Sequence, residues 1–293
     1  MKRGPFIRYP IDIISVLVVA GTLTLQLIAL TLHWHWFLMI PIVMLMREVS
    51  LVQHNHAHLT IFTSRFANVL LGWACHLSIG VPLETYKIHH VMSHHRHNNR
   101  FDPSAKDWSS LFGFQGAQMP ERPVSKAYYV ASFPFIAHGE SLLWYLRAPK
   151  SKLTRQFVIS MSIVGPLSVF LAWLNPIGFL TFFVIPWAVV VFGMGYNNYD
   201  HHVGCKMTSE YDSSNNFLNF YYTVLSFNEG YHVAHHVNPR VHWSLLPAYH
   251  GAIEKTGIQP ASVPFTALKA SLRSRRGRSD NGAPTPQPSA LRT

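Results

Sequence analysis

Four long apolar runs, set apart by clusters of histidine, organise this chain. The first runs from Ile13 to Leu32; at about 1.5 Å per residue it can span a hydrocarbon core of about 30 Å. It is longer than the apolar region of a secretory signal, and no small-x-small cleavage site follows it, so it reads as an anchor. The second, residues 36–53, follows a link containing His33, Trp34, His35 and Trp36 and carries Arg47 and Glu48 at its inner end. That pair must snorkel or face other helices. Two later runs, 156–174 and 177–195, are separated only by Asn175 and Pro176, which reads as a tight hairpin. The pattern predicts an all-α membrane protein with four transmembrane helices, about 13–32, 36–53, 156–174 and 177–195, in two hairpins.

Charge orients these helices. Neither short link carries Lys or Arg, and the basic residues lie at the other ends of the runs. The positive-inside rule then puts both termini and the middle segment on the cytoplasmic face, with Trp34 and Trp36 at the far interface. Residues 66–83 are also apolar, but a single crossing there would leave the histidines before and after it on opposite faces. This stretch is therefore expected to be re-entrant or interfacial. The same is expected of residues 127–146, interrupted by Pro134, His138 and Glu140. Together these segments make a cytoplasmic helical cap. Residues 1–270 form one membrane domain, and residues 271–293, rich in Ser, Arg, Gly and Pro, are expected to be a disordered basic tail that meets anionic headgroups.

Composition narrows the chemistry. Of 293 residues, 48% are apolar and 13% charged, about half the usual charged fraction of a globular protein. The net charge of +11 does not indicate nucleic acid, because Lys and Arg flank apolar segments or lie in the tail and form no contiguous reading surface. Cys75 and Cys205, with no Cys-x-x-Cys pair, encode neither a disulfide framework nor a thiolate metal site. The unusual quantity is 19 histidines against 13 Asp plus Glu.

These histidines fall into spaced clusters. His54 and His58 are i and i+4, so on a helix both imidazoles reach one metal while His56 points away. His90 and His94 repeat that spacing, and His95 adds a ligand about 100° round the helix, suited to a neighbouring metal. His232, His235 and His236 put three imidazoles on one side of a helix, and Asn197 and His201 are again four apart. One face per cluster gives nine candidate ligands: His54, His58, His90, His94, His95, His201, His232, His235 and His236. A single metal site uses about three or four, so the number fits two metals with open positions. Imidazole alone does not choose among zinc, copper, iron and nickel. His89, His97 and His202 remain alternates, while His33, His35, His76, His138, His242 and His250 lack such spacing and read as structural. Asp200, Glu229 and Asp102 are the carboxylates placed to accept imidazole N–H bonds. A histidine-rich metal transporter is the rival reading. Its ligands would sit near the bilayer midplane, whereas these cluster beyond the apolar runs.

The set HNHAHLTIF, HHRHNN followed by Asp102, and EGYHVAHHVNP, spread between apolar hairpins from about His54 to Pro239, resembles the membrane fatty acid desaturase family with its hydroxylase and ketolase relatives. The resemblance implies a diiron centre, with the nine histidines above as ligands to two iron ions and Asn197 acting through water. It also implies O₂ as co-substrate and a fatty acyl substrate, as thioester, lipid or free acid. Electrons would come from a separate donor such as ferredoxin or cytochrome b5, since no His-Pro-Gly-Gly haem motif is fused to the chain. The implied reaction is acyl desaturation, with hydroxylation, ketone formation or terminal-alkene-forming decarboxylation as alternatives. Two spacings depart from the commonest pattern. The first box has three residues between its histidines where many thioester-acting members have four, and the second has three where two is common.

Overall fold

The structure, a computed structural model, describes residues 4–32, 36–102, 105–111, 124–260 and 262. The tail 271–293 and the link residues His33, Trp34 and His35 lie outside the described residues. Among the described residues the chain is helical apart from one two-residue ladder and isolated bridges. Four helices are long and apolar enough to cross a membrane: α1 (Pro10–Thr31), α2 (Trp36–His58), α6 (Lys152–Leu174) and α7 (Pro176–His202). Further helices are α3 (Arg65–Ile79), α4 (Leu83–His97), α5 (Lys126–Arg147), α8 (His232–Val237) and α9 (Leu246–Glu254). All four spans match apolar runs of the sequence, but α2 and α7 continue past them, to His58 and His202. Polar residues do not stop a helix that has packing partners on its inner face, so the histidines ride on extensions of the spans.

Helix α1 packs on α2 and α3, α2 on α7, and α5 on α7. The buried face of α1 is Ser15, Val19, Thr22, Gln26 and Ala29, a spacing of three and four that keeps one side inward. Gln26 is fully buried. Its amide donates to the carbonyls of Ser78 at 3.0 Å and Phe182 at 3.1 Å and accepts from Ser78 Oγ at 2.8 Å. One side chain thereby ties α1 to α3 and α7 where no water can serve as partner.

Helices α3 and α4 meet at 92°. Ser64 caps the start of α3 by accepting from the Ala67 N–H, and Gly80 ends it at φ +73°. A Cβ at Gly80 would lie 2.6 Å from the Trp187 ring, so glycine meets both the left-handed backbone and the close approach. Trp187 Nε1–H donates to the carbonyls of Ser78 at 2.9 Å and Leu77 at 3.2 Å. The bend leaves carbonyls without helical partners, and α7 supplies the donor.

After α4 comes the one ladder among the described residues, β1 (Phe101–Asp102) against β2 (Ala105–Lys106), antiparallel with Phe101 opposite Lys106. Small as it is, it turns the chain back on α4. Asp107, the next residue, donates its N–H to the Arg100 carbonyl at 2.9 Å and arrives beside His94.

Candidate metal centre

The functional side chains come from helix ends. Helix α2 presents His54 and His58 in its last turn and a half, and α7 ends on His201 and His202. Helix α4 carries His90, His94 and His95, and α8 carries His232, His235 and His236. Their nitrogens gather in two groups. His54, His58, His90, His95 and His235 each offer one nitrogen within 4.8 Å of all the others, and His94, His202, His232 and His236 do the same.

Within the first group, His235 Nε2 lies 2.8 Å from His54 Nε2 and 3.0 Å from His95 Nε2, and His95 Nε2 lies 3.0 Å from His90 Nε2. Within the second, His232 Nε2 is 3.4 Å from His202 Nε2 and 3.1 Å from His236 Nε2. A metal about 2.1 Å from each imidazole would hold neighbouring nitrogens about 3.0–3.4 Å apart, the edges of an octahedron or a tetrahedron. His58 Nε2 and His94 Nε2 are buried with no hydrogen-bond partner. Unpaired polar atoms cost free energy in an interior, and a shared cation satisfies all of them at once. Burial, and then the neighbouring imidazoles, hold His232, His235 and His236 well below the usual histidine range. They are neutral at physiological pH, the state that ligates metal. The residues therefore fit two metal ions.

The second and third boxes cross over between the groups. In α8 the outer pair His232 and His236 serves the second group and His235, between them, the first. In α4 the outer pair is His90 and His95, which serve the first group, and His94 between them serves the second. An i, i+5 pair does not share a face of an α-helix. Here Lys87–His94 is a π-helical segment, closed by the His95 N–H donating to the His90 carbonyl. With roughly 4.4 residues per π turn, His95 stands about 50° from His90 instead of about 140° in an α-helix. The α-helical reading, which put His94 with His90 and His95 with the neighbouring metal, is thus reversed.

Three rings of the second group are oriented from outside. His94 Nδ1 meets Asp107 Oδ2 at 2.8 Å, His202 Nδ1 the Ser213 carbonyl at 2.8 Å, and His236 Nδ1 Asn98 Oδ1 at 3.1 Å. An acceptor at Nδ1 places the proton there and turns the Nε2 lone pair inward. Asp107 is fully buried. Burial opposes its ionisation, but the facing His94 ring and the Ser109 N–H and O–H offset this and hold its carboxylate below the usual range. Asp107→Ala is expected to weaken metal binding at the second group about 10- to 100-fold. Chelator competition, followed by metal content per chain, measures this, and unchanged retention would remove Asp107 from the ring-orienting role.

Some residues singled out by spacing lie elsewhere. His201 stands outside both groups and its neighbour His202 stands inside. Spacing from Asn197 gives a helix face but not which face α7 turns to the centre, and successive residues differ by about 100°. The His201 ring still lies 4.1 Å from that of His232, with Nδ1 on the Asn215 carbonyl and Nε2 buried without a partner. Asn197 is engaged by protein: its Nδ2 donates to Glu229 Oε1 at 2.6 Å and its Oδ1 accepts from Tyr222 at 3.3 Å. Asp200 pairs with Lys126 and Glu229 with Arg47, so neither is an imidazole acceptor; the Asp102 side chain lies outside the described residues. Asp107 was missed because it lies twelve residues beyond His95, a separation that only the small ladder closes. His56, His76 and His242 are bound to protein partners away from the centre, His56 because it turns away from the face of His54 and His58, and the other two in keeping with their isolated spacing.

A cavity of about 370 Å³ opens onto both groups. His54 and His90 of the first and His232 of the second line it, together with Val43, Leu51, Val81 and Val190. A second cavity of about 370 Å³ lies beyond it among α3, α5, α6 and α7, and Thr85 and His138 line both. Beside the centre runs a part-buried ion network. Arg47 donates to Glu48 at 2.8 Å, to Glu229 at 2.8 Å and to Ser226.

Four membrane-length helices, with nine imidazoles of α2, α4, α7 and α8 converging in two groups beside a cavity, describe an integral membrane protein with a histidine centre able to hold metal. The sequence profile described as "Fatty acid desaturase" matches residues 9–267, and the chain belongs to that family. No curated protein and no solved structure matches it.

Proposed function

We propose that the chain is an O₂-dependent fatty acyl desaturase that holds one iron in each histidine group. His54, His58, His90, His95 and His235 bind the first, and His94, His202, His232 and His236 the second. The observation that carries this reading is the cavity itself, whose head carries nitrogens of both groups and whose lining is apolar over most of its area. Two irons, when bound, would activate O₂, the oxidant, for breaking an unactivated C–H bond, which side-chain acid–base chemistry does not reach. The chain's residues supply placement: apolar walls exclude water and hold two adjacent methylenes against the imidazole cluster. The balance is loss of two hydrogens from the acyl chain while O₂, two electrons and two protons go to two waters, the electrons coming from a separate donor.

In this reading the two pairs of spans form hairpins, α3 with α4 is re-entrant, and the histidines and both termini face the cytoplasm. The 92° bend and the absence of Lys and Arg from the link at Asn175 support that placement. Expression in a host of known lipid profile, with mass spectrometry of fatty acids and volatiles, is expected to reveal a new mono-unsaturated acyl chain. A hydroxylated or shortened product would replace desaturation by that chemistry. An unchanged profile from an iron-loaded protein supplied with reductant would refute the acyl reading.

A further inference from the structure

The cavity is open to the side. Its lining follows one face of α2 from Val43 through Arg47, Ser50 and Leu51 to His54, and one face of α7 from Val189 to His201. At about 1.5 Å per residue these stretches reach about 16 and 18 Å from the histidines toward the apolar middle of the spans. On α7, Val189, Gly193 and Tyr196 line the cavity and are at the same time exposed on the outer surface of that membrane-length helix. They are spaced by four and three, so they form one stripe, and the outer surface of a span faces hydrocarbon. A Cβ added at Gly193 would meet no heavy atom within 4 Å. The glycine is a gap in the wall at that point. Above it, Tyr196 lies 3.2 Å beneath the Lys126 ammonium, which is paired with Asp200, an aromatic and cation arrangement that suits the membrane interface.

The lining also limits what can enter. Arg47 and Glu229 are its two charged side chains, and they neutralise each other at 2.8 Å, with Glu48 on the far side of the guanidinium. A carboxylate or phosphate drawn inside would meet the Glu229 carboxylate and an Arg47 already held by two carboxylates. Hydrocarbon would meet valines, Leu51, Phe133 and Met194.

We propose that the substrate is a lipid dissolved in the bilayer, whose uncharged hydrocarbon portion reaches the metal centre sideways through a portal framed by Val189, Gly193 and Tyr196. This rests on the acyl-oxidising reading above and names its substrate class. A methylene needs about as much room as a water molecule, roughly 30 Å³, so the first cavity takes about a dozen. Any charged headgroup stays at the level of Tyr196 and Lys126.

The test uses the full-length protein reconstituted in phosphatidylcholine vesicles with two photoreactive probes. One is a long-chain fatty alcohol with a mid-chain diazirine, dissolved in the bilayer. The other is the matching acyl-CoA thioester, added to the water phase. Peptide mapping is expected to place the alcohol on cavity-lining residues of α2 and α7, and Gly193→Trp is expected to cut that labelling at least tenfold while both irons are retained. Gly193→Leu should fall between, and Gly21→Trp, an equal bulk on exposed α1 away from the cavity, should change nothing. Retained iron shows that the variant has folded; if Gly193→Trp does not hold metal, the Gly193→Leu result decides. The portal is overturned if Gly193 variants label as well as the parent, if the alcohol labels only outer helix surfaces, or if the aqueous thioester labels the cavity and is indifferent to Gly193. Iron content and product analysis of the parent protein are separate readouts. The portal can therefore fail while the oxidative reading stands, and loss of both iron and product in the parent would mark failure of that reading instead.

Discussion

His235→Ala will remove the keystone of the first histidine group. Its Nε2 lies 2.8 Å from His54 Nε2 and 3.0 Å from His95 Nε2, so it joins the ligands of α2 to those of α4. With that nitrogen gone, the remaining members span only α2 and α4, and α8 no longer closes the group. Turnover is expected to fall by roughly a thousandfold or more, the several kcal/mol that a catalytic metal supplies. Iron should fall from two per chain toward one, while the protein remains in the membrane fraction. His201→Ala is the matched control: it deletes an equally buried imidazole that belongs to neither group, and both irons should remain. Elemental analysis beside product assay reads both. Full turnover in His235→Ala would strike that residue from the ligand set, and loss of an iron in His201→Ala would add that one.

Arg47→Met is expected to produce the largest loss of stability. The guanidinium holds Glu48 and Glu229, whose side chains are only 18% and 7% exposed. Burial raises Glu229 above the usual carboxylate range, and Arg47, then Asn197, counter part of that rise. Removing one partner of a buried pair leaves an uncompensated charge and costs about 3–5 kcal/mol. For a chain of this size the melting temperature should drop by roughly 10 °C, measured by thermal unfolding in detergent. Adding Glu229→Gln should restore part of the loss, since it removes one of the stranded charges. A single variant that melts with the parent would show the network to be energetically idle.

The spans were legible because a hydrocarbon solvent imposes a coarse rule, length and apolarity, that needs no tertiary information. Their true ends were less so. Residues 36–53 carry the apolar signal, yet α2 continues to His58 because its last turn packs inside the protein. Eight of the nine histidines selected by spacing converge, because i, i+3 and i+4 relations are properties of a helix wherever it sits. His202 stood only as an alternate ligand and Asp107 was not singled out, for two physical reasons. The rotation of α7 about its axis depends on what packs against it, and the return of Asp107 to His94 depends on a two-residue ladder with no propensity signature. Assigning His94 and His95 to their groups failed for a third reason. A π turn looks like an α-helix in its residue pattern and differs only in which carbonyl accepts.

That turn also explains the irregular spacing of the second box. Two residues between histidines on an α-helix put the outer pair about 40° apart, and three residues in a π turn put them about 50° apart. The extra residue between His90 and His94 is absorbed as girth and not as length, so the imidazoles keep their compass bearings while their numbering slips by one. For this centre the ruler is angular. Two boxes that differ as strings of letters can be the same object in space, and a count of intervening residues measures how the helix was wound, not which atoms the metal meets.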